Sequence, residues 1–87
     1  KDSEVQKVVL KVEAFQSNYI RNLPLHDSQK ETKRTDEYSI FEYHLKPEFD
    51  FEQEIFSNMD AMEVLEPLWL RDEVTEKLRN LAEKYKI

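Results

Sequence analysis

Two short segments hold the residues whose types and spacing could do chemistry. In "VLEPLWLRDEV", Val64 to Val74, Trp69 and Arg71 stand in the opening turns of an expected helix. Backbone N–H groups at a helix start already favour anions. A guanidinium placed there can grip a phosphate or a carboxylate with two parallel hydrogen bonds. The same arginine can instead pair with a local acid such as Glu66 or Glu73, or brace one domain against another. Trp69 suits a stacking platform or an interface anchor, since Trp is enriched at binding hot spots, and it suits a core cap equally well. In "LHDSQ", Leu25 to Gln29, the candidates are His26 and Gln29. His26 can donate to a ligand. The simpler reading has His26, Asp27 and Ser28 tying down a turn by their side chains.

Other polar groups point to chemistry more weakly. His44 lies two residues from Glu42, but a metal site needs further ligands that the sequence does not place, so no metal is expected. Lys30, Lys33 and Arg34 form a basic cluster that reads as a solvated strand edge discouraging strand-to-strand aggregation. The acidic set from Glu48 to Glu54 reads as a helix-start feature, favoured by the positive end of the helix dipole. No serine has an evident base, no cysteine exists, and no carboxylate spacing fixes a pair across a substrate. Enzyme is therefore the weakest class, and no catalytic residue or cofactor is expected.

Composition narrows the classes further. At 87 residues the chain reads as one domain with one modest core. A net charge of −6 argues against broad contact with nucleic-acid backbone or anionic membrane. No apolar run approaches the roughly 20 residues that a membrane helix requires. The lack of cysteine fits a reducing compartment, so a cytoplasmic location is expected. Glycine is also absent, which rules out Walker and Rossmann phosphate loops. The opening "KDSEV" reads as a piece cut from a longer protein.

The elements that must position the candidates follow from periodicity. Val5 to Ala14 alternates with Val8, Leu10, Val12 and Ala14 on one face, as a strand does. "FQSNYIRN" places Phe15, Tyr19 and Ile20 on one side of a short helix that Leu23-Pro24 ends. Gln29 to Thr35 is a polar edge strand, and Thr35-Asp36-Glu37 turns it into a central strand from Tyr38 to Leu45. Pro47 opens a helix with Phe51, Ile55 and Met59 on one stripe, and Asn58 is expected to end it in the left-handed region. Met62 to Leu65 is a short strand. Pro67 suits the first turn of a last helix, with Leu70, Val74, Leu78, Leu81 and Tyr85 on one stripe and Glu73 paired with Lys77. The order β-α-β-β-α-β-α predicts an α+β fold: a ferredoxin-like β-α-β-β-α-β sandwich with a four-stranded antiparallel sheet, plus an added C-terminal helix.

In order and spacing, "LHDSQ", the polar strand, "MEVLEPLWLRDEV" and the helix ending at Tyr85 resemble the C-terminal extension (WCX) domain of WYL-domain bacterial transcriptional regulators. The chain departs from that pattern at Asp27, where proline is usual, and around Asn58, where glycine is usual. The resemblance implies a parent protein with an N-terminal helix-turn-helix and a central WYL domain, both outside residues 1–87. It implies a regulatory and dimerisation module that packs near the WYL domain of the same or the partner chain. DNA would be touched through the helix-turn-helix, and the effector would be a nucleotide or nucleic acid. Two readings of other classes stand beside it. One is a stand-alone small-molecule or nucleotide-binding regulatory domain. The other is single-stranded nucleic acid binding on the sheet face around Phe41 and Tyr43, which lacks the glycine-containing aromatic motif of RNA-recognition modules.

Overall fold

Strand alternation decides which side of the sheet is covered. The computed structural model describes residues 4–86. In β1 (Gln6–Glu13), Val8, Leu10 and Val12 are fully buried. The antiparallel register sets them opposite Tyr43, Phe41 and Ser39 of β3 (Tyr38–Leu45). On the other flank Leu10 and Val12 meet Val64 and Met62 of β4 (Met62–Glu66). With β2 (Lys30–Arg34) the strand order is β2-β3-β1-β4, so β1 and β3 occupy the middle. α1 (Ala14–Asn22), α2 (Phe49–Ser57) and α3 (Leu68–Tyr85) supply Ile20, Phe51, Ile55, Leu70 and Val74 to the same core. This is the expected ferredoxin-like α+β arrangement with one added helix.

Sequence and structure part company at several element ends. Ala14 opens α1 rather than closing β1. Of the expected α1 stripe Ile20 alone is buried; Phe15 is 76% and Tyr19 58% exposed. Ser17 takes the inward place, donating its hydroxyl to the Val12 carbonyl at 3.0 Å. Residues 17 and 20 share one helix side and residues 15 and 19 another, and docking on the sheet selects the first. Phe41 and Tyr43 lie 1% and 0% exposed under the helices. They therefore cannot stack bases on the open sheet face, where Tyr38, Ile40, Glu42 and His44 of the same strand alternate to the opposite side.

Turns close without glycine by using side chains. The Thr35 hydroxyl donates to the Tyr38 carbonyl at 2.9 Å and accepts from the Glu37 and Tyr38 N–H groups. Asn58 is not left-handed, with φ −130° and ψ 33°. It ends α2 through its amide, which donates to the Glu54 carbonyl at 2.8 Å, while Ala61 and Met62 donate to its own carbonyl. The left-handed residue among those described is Lys86, at the end of α3. Pro47 and Pro67 precede their helices rather than entering them, and the Glu66–Pro67 peptide is cis.

α3 is held at its start and open at its end. Leu70 and Val74 are buried, whereas Leu78 is 47% and Tyr85 68% exposed. An 18-residue helix is about 27 Å long, and its buried anchors fall in the first half. Lys77, expected on Glu73, lies over the Phe56 ring at 5.0 Å. Leu70→Ala is therefore expected to destabilise the domain by about 2–5 kcal/mol in urea unfolding. Leu78→Ala should shift it by no more than about 0.5 kcal/mol.

Candidate functional site

The α1–β2 loop is organised around Gln29, and the reason lies at the end of α1. The last carbonyls of a helix have no partner within the helix, and a glycine in the left-handed region is the usual remedy. Here the Gln29 side-chain amide donates to the Ile20 carbonyl at 2.7 Å. Its oxygen accepts from the Leu25 N–H at 3.0 Å and from the Tyr43 hydroxyl at 2.7 Å. Burial pushes the Tyr43 hydroxyl far above its ordinary pKa, so it remains a donor. Three elements thus meet on one carboxamide.

His26 works within the same loop. Its Nδ1 accepts from the Ser28 N–H at 3.0 Å and lies 2.8 Å from the Ser28 hydroxyl. That hydroxyl accepts in turn from the His44 N–H of β3 at 2.9 Å. The outer edge of His26 lines a cleft of about 420 Å³ with His44, Lys46, Leu25, Leu45 and Phe51. His44 Nε2 sits 3.4 Å from Glu42. Among the described residues, His, Cys, Asp and Glu form no group of three that could hold a metal ion.

Arg71 and Trp69 leave the start of α3 for different strands. Arg71 Nη1 donates to Glu63 at 2.8 Å and to the Val64 carbonyl at 2.8 Å. The partner acid is thus Glu63 of β4, rather than Glu66 or Glu73. Arg71 also lines a groove of about 150 Å³ with Met59, Val74, Thr75 and Leu78. The Trp69 indole N–H donates to Gln6 at 2.7 Å, and its ring is half-buried against the core. Trp69 and Arg71 do not converge on one target, and the His26 cleft and the Arg71 groove are lined by different residues.

The sheet order, the tethered "LHDSQ" loop and the β4–α3 junction set the frame for comparison with known proteins. A model of the WCX domain family matches residues 4–82. The chain belongs to the WCX domain family. Membership puts it among domains associated with WYL-type regulators, not within a known enzyme family. In a comparison with curated proteins, nothing matches. No helix of the described residues is long and apolar enough to cross a membrane.

This WCX domain also contains a polar network that periodicity did not reveal. Glu31 sits on the edge strand, but the register sets it opposite Phe41 and so turns it under the helices. Arg21 of α1 meets it with two parallel bonds, Nε to Oε1 at 2.8 Å and Nη2 to Oε2 at 2.7 Å. The buried Ser39 hydroxyl donates to the same carboxylate, and Asn18 accepts from Arg21 Nη1 at 2.6 Å. Hydrogen bonds from Arg21, set against some desolvation and aided by Ser39, hold the Glu31 carboxyl down at about 2. The one available sequence signal was alternation across the hairpin, which sends every second residue of a polar strand inward.

Two outcomes follow for these residues. Gln29→Ala should leave the Tyr43 hydroxyl, the Leu25 N–H and the Ile20 carbonyl without this partner and cost about 2–3 kcal/mol in urea unfolding at constant slope. Because the folded pKa of Glu31 is depressed, its stabilising contribution is complete above its ordinary 4.5 and is lost as pH falls through about 2. The stability difference between wild type and Glu31→Gln should therefore be largest near neutrality and shrink across that window, as urea melts at stepped pH would show.

Proposed function

We propose that this WCX domain is the regulatory and oligomerisation module of a WYL-type transcription factor. It helps hold two chains together and relays effector binding to DNA-binding domains elsewhere in the parent protein. The observation that carries this reading is the second half of α3, where Leu78 and Tyr85 continue a buried stripe into solvent. A helix with half its apolar stripe uncovered fits a neighbouring protein surface better than it fits water. That neighbour is the WYL domain of the same or the partner chain in a homodimeric, cytoplasmic regulator. DNA is contacted through a helix-turn-helix outside residues 1–87.

Arg71 is the residue best placed to link effector and neighbour. It stands beside the exposed stripe, and a guanidinium carries five N–H donors in a fixed fork. A nucleotide or nucleic-acid effector bearing phosphate would compete with Glu63 for that fork. Such a ligand shifts the domain arrangement only by its differential affinity for the two states. A second reading, a free-standing small-molecule domain, is favoured by the cleft holding His26, His44 and Lys46 over an apolar floor. Saturable shifts of the His26 and His44 ring protons with nucleotides or amino acids would support that second reading.

In the full-length regulator, Arg71→Ala is expected to change effector-dependent operator binding by about 5–150-fold. Glu63→Gln, which leaves the arginine in place, should retain most of the response. An unchanged operator affinity and effector response in Arg71→Ala would remove Arg71 from the mechanism.

A further inference from the structure

The cleft beside the α1–β2 loop holds charges of both signs that do not neutralise each other. Its nitrogen groups come from His26 in the loop and from His44 and Lys46 at the end of β3. Its carboxylates come from Glu48 and Asp50 at the start of α2. Among the described residues, Lys46, Glu48 and Asp50 make no ion pair, whereas Lys7, Arg21 and Arg71 each meet a carboxylate. The floor is apolar: Leu45 and Phe51 are 3% and 8% exposed, and Leu25 packs beside them.

His26 is set as a donor. Its Nδ1 accepts from the Ser28 N–H at 3.0 Å and lies 2.8 Å from the Ser28 hydroxyl. That oxygen already accepts from the His44 N–H, which leaves its own hydrogen for Nδ1. With Nδ1 accepting, the ring proton sits on Nε2. His26 therefore offers the cleft an N–H and Lys46 an ammonium, both suited to a carboxylate. Glu48 and Asp50 offer acceptors, suited to an ammonium.

We propose that this cleft binds a small zwitterion, an α-amino acid with an apolar side chain. The inference rests on the small-molecule reading above for its site and adds the class of ligand. Charge supplies the first argument. A phosphate-bearing ligand sets its negative charge against Glu48 and Asp50, and a simple amine sets its positive charge against Lys46. A ligand with a carboxylate and an ammonium on one carbon meets both sets, and the like-charge contacts reject the other two classes.

Size and floor supply the second argument. At about 420 Å³ the cleft stands near the lower end of ligand sites, which span roughly 300–1,000 Å³. That gives room for one amino acid rather than a dinucleotide. The apolar side chain of such a ligand rests on Leu25, Leu45 and Phe51, where burial adds to affinity. Lys46, Glu48 and Asp50 are exposed, so each charged contact is weak by itself. A dissociation constant on the order of 1 mM is expected.

The test is a titration of the 87-residue chain with L-leucine past about 1 mM, read by NMR at His26, His44 and Lys46. Leucine should give saturable shifts. N-acetyl-leucine, which lacks the ammonium, and leucine amide, which lacks the carboxylate, should each bind about threefold to tenfold more weakly. Lys46→Met should weaken leucine by a similar factor and leucine amide by little, since that probe lacks the group that Lys46 holds. The doubly substituted Glu48→Gln/Asp50→Asn chain should weaken leucine and spare N-acetyl-leucine in the same way. All three positions are exposed, so the urea midpoints should hold. Equal binding of the three probes, or of leucine to wild type and both variants, overturns the zwitterion assignment. Saturable binding of adenosine monophosphate at the same signals, without a leucine response, overturns it while the small-molecule reading stands. No response to any probe overturns both.

Discussion

The Gln29 carboxamide, with the Ile20 carbonyl, the Leu25 N–H and the Tyr43 hydroxyl around it, closes an end of the molecule that a glycine would ordinarily close. Much else depends on that closure. It fixes where α1 stops, which way the loop leaves, and how the buried Tyr43 on β3 disposes of its hydroxyl. With the loop held, Ser28 accepts from the β3 backbone and His26 is oriented at the rim of the neighbouring cleft. The same solution recurs with Thr35 at the hairpin and Asn58 after α2, each exchanging left-handed backbone for a side-chain hydrogen bond. A chain without glycine is thereby made stiff at its corners, because each closure also orders a side chain.

Seen together, the candidate residues divide by what they hold. His26 and Gln29 serve the scaffold first. Trp69 joins the start of α3 to Gln6 at the start of β1, so it reports on how firmly that helix is seated. Arg71 has a dual character: it anchors α3 to β4 through Glu63 and the Val64 carbonyl, and it stands where the helix begins to leave the core. A side chain so placed ties the seating of the helix to the position of the edge strand.

The fold was legible in the sequence because alternation and helical spacing are strong signals for whole elements. β3 shows this clearly, with Phe41, Tyr43 and Leu45 inside as the pattern required. The WCX resemblance was carried by "LHDSQ" and "VLEPLWLR", and the family match bears it out. Less legible was the azimuth of α1, since Phe15 and Tyr19 are more apolar than the Ser17 that displaced them inward. That choice was made by docking against β1 and β3, not by local hydrophobicity. Polar pairing was also hidden: Arg21 with Glu31, and Arg71 with Glu63, join residues ten and eight apart that the fold brings together across elements. Helix ends were the least readable, because the left-handed closure expected at Asn58 gives way to a closure through its own side chain.

The two edge strands have a further consequence. β2 is interrupted by a register shift around Thr32 and lined by Lys30, Lys33 and Arg34. β4 spans five residues, has its own shift around Leu65, and gives its Val64 carbonyl to Arg71. An extended peptide seeking to lengthen this sheet would find an irregular ladder on either side. Assembly by strand addition, with its sequence-tolerant backbone zipper, is therefore disfavoured at both margins. Surfaces made of side chains, on the helices and on the open face of the sheet, escape that constraint because they use no free strand edge.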